Sequence, residues 1–134
     1  METRLFCADT SCWIPYLDGQ SGSDVELIIA HLRQHTLVMS PIVLAELLSE
    51  PLRSPAARHS LLKISMLELM PGFWERAGLT RAELLRHRVK PQLADTLIAQ
   101  VCIDHKLPLH TRDTGFRPFS KHAGLQLVMH GLVN

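Results

Sequence analysis

Four carboxylates of this chain stand among apolar neighbours. Asp9 closes the run Leu5-Phe6-Cys7-Ala8, and Glu46 interrupts Ile42-Val43-Leu44-Ala45-Glu46-Leu47-Leu48. Asp95 lies within Leu93-Ala94-Asp95-Thr96-Leu97-Ile98-Ala99, and Asp113 follows Leu107-Pro108-Leu109-His110-Thr111-Arg112. Burying a carboxylate is costly unless a partner compensates it. No matching buried Lys or Arg is evident for the four, which suggests a shared cation. Oxygen-only ligation suits a hard divalent ion, Mg²⁺ or Mn²⁺. Such an ion polarises a phosphoryl oxygen and lowers the pKa of a water it binds, the machinery of phosphodiester hydrolysis. Each acid also has a plainer reading. Asp9 could cap the Thr10-Ser11 turn, and Asp113 before Gly115 could be a turn residue. Asp95 could cap a helix starting after it, although the periodicity from Leu93 argues otherwise. Glu46 has no local backbone partner to satisfy it.

The elements that must position these acids alternate between strand and helix. Short apolar segments at Leu5–Ala8, Leu37–Met39, Met66–Met70, Leu107–Thr111 and Leu125–Met129 read as five strands. Between them, Ser23 and Glu26 have capping-box spacing ahead of an amphipathic helix. Ser40-Pro41 and Ser54-Pro55 are helix starts. Gly72 to Arg88 reads as helical, with a possible break near Gly78 and a second capping box at Thr80 and Glu83; Pro91 to His105 is a further helix. Pro51 to Pro55 breaks the chain. This alternation predicts a mostly parallel sheet in one α/β domain covering residues 1–134. Ligands of such sheets bind beyond the carboxyl ends of the strands. Asp9 and Asp113 each follow a strand directly, and Glu46 and Asp95 sit on helices near the same edge.

Bulk properties narrow the function classes. The 134 residues suffice for one domain with a sizeable core, and 46% hydrophobic content excludes a disordered chain. A net charge of +1 excludes a basic nucleic-acid tail, although Arg76 to Lys90 and Arg112, Arg117 and Lys121 form local basic clusters. These could meet phosphates or simply cover solvated helix faces. Cys7, Cys12 and Cys102 lack CxxC spacing; Cys7 and Cys102 read as small buried hydrophobes, and a reducing cytoplasm is expected. The N-terminus lacks a signal peptide's apolar core, and no run is long enough to span a bilayer. Of eight histidines, only His31 and His35 have a local metal-ligand spacing, and solvated helix positions explain them better.

Four segments in order resemble the PIN-domain ribonucleases, most closely the VapC-like toxins of type II toxin–antitoxin pairs. They are Ala8-Asp9-Thr10-Ser11, Ser40-Pro41-Ile42-Val43-Leu44-Ala45-Glu46-Leu47, Ala94-Asp95-Thr96-Leu97-Ile98-Ala99 and Thr111-Arg112-Asp113-Thr114-Gly115-Phe116. The resemblance implies a three-layer α/β/α fold around a central five-stranded sheet and Mg²⁺- or Mn²⁺-dependent cleavage of RNA. Asp9, Glu46, Asp95 and Asp113 match the family's metal-binding and catalytic acids, and Thr10, Ser11 and Thr111 its supporting hydroxyls. It also implies a cognate antitoxin and a homodimer. Many relatives carry a second acid three residues after the first in the last motif, where this chain has Phe116. Trp13, Tyr16, Phe116 and Phe119 could stack on RNA bases or belong to the core. A receiver domain would need an adjacent acidic pair after the first strand, and a dehalogenase-like phosphatase Asp-x-Asp; position 11 is Ser. A PIN-like binding module without catalysis remains the alternative.

Overall fold

The first two strands stop where a helix begins. The computed structural model describes residues 4–51 and 54–131. In chain order the elements are β1 (Cys7–Ala8), α1 (Thr10–Leu17), α2 (Ser23–Gln34), β2 (Val38–Met39), α3 (Pro41–Leu48), α4 (Pro55–Leu62) and β3 (Ser65–Met66). They continue with α5 (Phe73–Arg86), α6 (Leu93–His105), β4 (Leu109–Thr111), a short 3-10 helix (Thr114–Phe116), α7 (Arg117–Ala123) and β5 (Leu127–Met129). Asp9 ends β1 as the N-cap residue of α1, and Ser40 ends β2 as that of α3. The early helix starts keep these strands to two residues each.

All strand pairs are parallel, as the alternation predicts. The expected single five-stranded sheet is not formed. β1, β4 and β5 make one ladder in the order β1-β4-β5, and β2 pairs with β3 in a second. One parallel bridge, Phe6 to Leu37, joins the two. It is held by Phe6 N–H to the Thr36 carbonyl at 2.8 Å and Val38 N–H to the Phe6 carbonyl at 3.0 Å. β1 thus lies between β2 and β4, so the strand order reverses there, the point at which open α/β sheets take their ligands.

The core is built from fully buried Trp13, Phe73, Phe116, Phe119, Ile28, Met39 and their neighbours. Cys7, Cys12 and Cys102 are all buried and free. α1 packs on α2 and α3, α3 on α6, and α5 on α6 and α7. Between α5 and α6, Arg76 holds Asp104 through two bonds of 2.9 and 2.6 Å, and Gln100 links Asp104 to Thr80. That use of Thr80 explains a departure from expectation. α5 runs unbroken through Gly78, and Glu83 serves Arg86 and His87 instead of a cap. The Ser23–Glu26 box also fails, because Gly22 is the N-cap residue and the Ser23 hydroxyl meets His130 Nδ1 at 3.1 Å. Ser54 does cap α4, accepting from Ala57 N–H at 3.1 Å. Leu52 and Arg53, inside the Pro51–Pro55 break, lie outside the described residues, as do Met1–Thr3 and the last three positions. Among the described residues no helix is long and apolar enough to cross a membrane.

Candidate active site

Asp9 is buried at the carboxyl end of β1. It occupies the N-cap position of α1, yet its side chain makes no capping bond. The Ser11 hydroxyl donates to Asp9 Oδ1 at 2.6 Å and lies 3.2 Å from Thr111 Oγ1. Arg112 N–H donates to Ser11 Oγ at 2.8 Å, and Asp113 N–H to Thr111 Oγ1 at 2.9 Å. Two hydroxyls from different elements therefore tie the first acid to the loop that carries the last. Thr10 makes no side-chain hydrogen bond among the described residues; Ser11 is the residue that reaches Asp9. Burial pushes Asp9 up to about 6, against the hydrogen bonds of Ser11 and Thr111, with the Asp113 charge adding to the rise. A bond to the charged form favours ionisation. Ser11→Ala should therefore raise the Asp9 titration by roughly one further pH unit, the worth of one such bond. Carboxyl-resolved NMR titration checks this, and an unchanged midpoint would show that Ser11 does not tune the acid.

The other three acids arrive from separate elements. Glu46 projects from α3, Asp95 from the first turn of α6, and exposed Asp113 caps the 3-10 helix by accepting from Gly115 N–H at 2.8 Å. Asp113 is thus also the turn residue its spacing allows. Burial raises the Glu46 pKa and the Asp95 charge adds to it; burial likewise raises Asp95, and the Asp113 charge adds to it. Each acid feels the next, in the series Asp9, Asp113, Asp95, Glu46. Glu46 Oε1 is buried with no hydrogen-bond partner, and so is Ser40 Oγ at the start of α3. Mutual repulsion and an orphaned carboxylate oxygen are what a divalent cation would relieve. Among the described residues, however, no group of three or more His, Cys, Asp or Glu is arranged to hold a metal ion directly. The donor set is nevertheless all oxygen, which suits a hard ion such as Mg²⁺.

Several features were not apparent from the sequence. The most buried carboxylate is Asp24, on what reads as an ordinary amphipathic helix. Arg112 meets it through Nε to Oδ2 at 2.6 Å and Nη2 to Oδ1 at 2.8 Å. Burial opposes ionisation of Asp24, but Arg112, the Cys12 thiol and Val25 N–H outweigh it and hold the acid at about 2. Arg112 is thus committed to an ion pair and does not belong to a phosphate-facing cluster. The histidines differ as well. His31 stacks on Phe6 at 4.8 Å and meets Thr36 Oγ1 at 2.6 Å, while His35 takes a left-handed conformation at the end of α2. Phe6 also contacts His110, whose Nδ1 lies 2.8 Å from His130 Nε2. Trp13, Phe116 and Phe119 are core residues and offer no stacking surface; the exposed aromatic is Trp74, at 65%. Phe116 fills the core at the position where a further acid would stand in the last motif.

Comparison with known proteins places this geometry. The model of the PIN domain matches residues 6–122. No curated protein sequence matches the chain. Among solved structures, VapBC2 from Rickettsia felis, bound to a DNA fragment from its promoter, has a chain similar at 20% identity and a TM-score of 0.73, covering 93% of this chain and 98% of that one. VapBC-1 from nontypeable Haemophilus influenzae is similar at 21% identity and 0.70, over 93% and 97%. VapBC-5 from Mycobacterium tuberculosis, a member of a family of toxin–antitoxin systems, is similar at 18% and 0.65, over 95% and 99%.

Proposed function

The chain belongs to the PIN-domain family, and on that premise we propose that it is a metal-dependent endoribonuclease, the toxin of a type II toxin–antitoxin pair. The observation that carries this reading is the run of carboxylates at the strand-order reversal, of which Asp9, Asp95 and Glu46 are each raised by burial and by a neighbouring acid, with Glu46 Oε1 left unpartnered. Asp9, Glu46, Asp95 and Asp113 would hold Mg²⁺ or Mn²⁺, with Ser11 and Thr111 orienting Asp9. When bound, such an ion polarises the scissile phosphate and makes water a better nucleophile. The protein's part is to keep Asp9 ionised and aimed. The Ser11 and Thr111 hydroxyls stabilise its charged form, and its burial strengthens those interactions. In the metal-free protein Asp9 takes a proton below about pH 6, so an ion must compete with that proton and should bind more weakly as pH falls.

Cleavage of labelled single-stranded RNA by the purified protein tests the reading. Activity should need Mg²⁺ or Mn²⁺, stop with a chelator, and fall roughly 100-fold or more in Asp95→Asn, comparable to losing a key electrostatic group. Full activity in that variant, or in the presence of chelator, would sink the assignment. The structural neighbours are VapBC proteins, which supports an antitoxin partner for this chain; a small antitoxin gene immediately upstream would bear that out. A homodimer and a cytoplasmic setting accompany the proposal, as does a single domain spanning residues 1–134. One rival keeps the acids without catalysis, a PIN-like binding module in which Asp113 serves its own turn by accepting from Gly115 N–H. Calorimetric metal binding with no RNA cleavage would select it.

A further inference from the structure

A second feature lies beyond the acids. The last motif leads from Asp113 through the 3-10 helix directly into α7, whose first residue is Arg117. Between α7 and the end of α5 opens a cleft of about 370 Å³, lined by His87, Val89, Arg117, Pro118, Lys121 and His122. That volume is in the range of small-ligand sites. Arg117 and Lys121 are four residues apart on one helix, so they share a face. Neither has an acidic partner among the described residues, whereas Arg76, Arg86 and Arg112 each do. Glu83, whose charge reaches His122, is engaged by His87 and Arg86, both at 3.1 Å. The imidazoles of His87 and His122 stack at 3.9 Å with 16° between their planes. Burial lowers the His122 pKa, and the His87 and Lys121 charges lower it further, so at neutral pH it offers an uncharged flat ring. The cleft therefore combines two free cations with flat and apolar surface from Val89, Pro118 and the imidazoles.

We propose that this cleft binds a nucleotide of single-stranded RNA adjoining the cleavage site, with Arg117 and Lys121 on backbone phosphate and the base against Val89, Pro118 and the imidazole faces. The proposal rests on the nuclease reading and extends it by giving the substrate a track away from the acids. Free cations with a flat apolar wall match the two-part recognition of single strands, charge for the backbone and stacking for bases. An acidic peptide would use the cations and leave the flat surface idle.

The test uses the full chain carrying Asp9→Asn, so that RNA is bound and not cut. Anisotropy of a short fluorescein-labelled RNA of mixed sequence is measured across a salt series, with and without Arg117→Ala plus Lys121→Ala. Loss of the two contacts should weaken binding at low salt by roughly 10-fold or more and reduce the slope of log affinity against log salt by about 1.4, two phosphates at 0.7 each. Arg33→Ala, an exposed cation on α2, should leave both unchanged. Unaltered affinity and slope in the cleft variant overturn the proposal, as does an equal loss in Arg33→Ala. So does competition by polyglutamate that matches RNA. The nuclease reading fails separately: wild-type protein that never cuts RNA, while the cleft variant still loses binding, removes the enzyme and leaves the site.

Discussion

Asp9→Asn should abolish RNA cleavage and at the same time make the metal-free protein more stable, by about 2–3 kcal/mol at pH 7.5. The sign follows from linkage. Asp9 titrates at about 6 in the folded protein, above its ordinary value of 3.8. Folding therefore costs more once the group is ionised; the penalty is complete above pH 6 and gone below about pH 4. A difference of some two pH units corresponds to about 3 kcal/mol. Asn keeps the size and the oxygen that accepts from Ser11, and carries no charge to bury. Guanidinium unfolding in chelator at pH 7.5 and 4.5 measures the effect, and the gain should shrink to about 1 kcal/mol at the lower pH. Saturating Mg²⁺ should close the gap from the other side, stabilising wild type and not the variant. An Asp9→Asn protein no more stable than wild type at pH 7.5 would mean that the acid is not held under strain.

The same pH range contains an opposing group. Burial, with the charges of His130 and His31 adding to it, depresses His110 to about 4. A histidine depressed in the fold contributes stability that is full above its unfolded value near 6.5 and is lost as pH falls toward 4. Between pH 6 and 4 the loss at His110 and the relief at Asp9 are of similar size and opposite sign. Wild-type stability should therefore vary little there, whereas Asp9→Asn should lose about 2–3 kcal/mol on going from pH 7 to 4.5. Asp9 thus hides the acid sensitivity of the histidine stack.

What the sequence discloses and what it conceals divides along sequence separation. Asp9, Glu46 and Asp95 are conspicuous because each closes or interrupts an apolar run, a local signal. The same holds for Pro41 at the first position of α3 and for the Ser54 cap. The capping box at Ser23 was misleading because its hydroxyl is taken by His130, 107 residues away. Asp24 escaped notice because an acid in the first turn of an amphipathic helix is unremarkable, and its partner lies 88 residues on. The histidine stack depends on the parallel register that sets Ala8 opposite His110, which composition cannot reveal. The division of the sheet into two ladders likewise reflects where helices begin, a matter of one or two residues at each strand end.

The largest loss of stability should come from Arg112→Ala, at about 3–5 kcal/mol, because it leaves a carboxylate buried without its cation. The Asp24 side chain is 1% exposed, and the guanidinium supplies both of its short ion-pair bonds. Two glycines make room for that guanidinium. A Cβ on Gly131 would stand 2.8 Å from Arg112 Cδ, and one on Gly22 2.8 Å from Arg112 Nη2. Both also hold positive φ, 63° and 156°, so neither position tolerates a side chain cheaply. If desolvation is the cause, Asp24→Leu combined with Arg112→Leu should be less damaging than Arg112→Ala alone, since no charge is then stranded. Urea unfolding of the single and double variants decides this, and additive losses would refute it. The consequence reaches the candidate site through the backbone: Arg112 N–H donates to Ser11, and Ser11 donates to Asp9. Arg112→Ala that still folds should therefore cleave RNA more slowly, with its acid limb moved upward as Asp9 loses a well-placed donor. A variant destabilised to this degree with an unchanged pH profile would confine Asp24 and Arg112 to holding α2 against the end of β4.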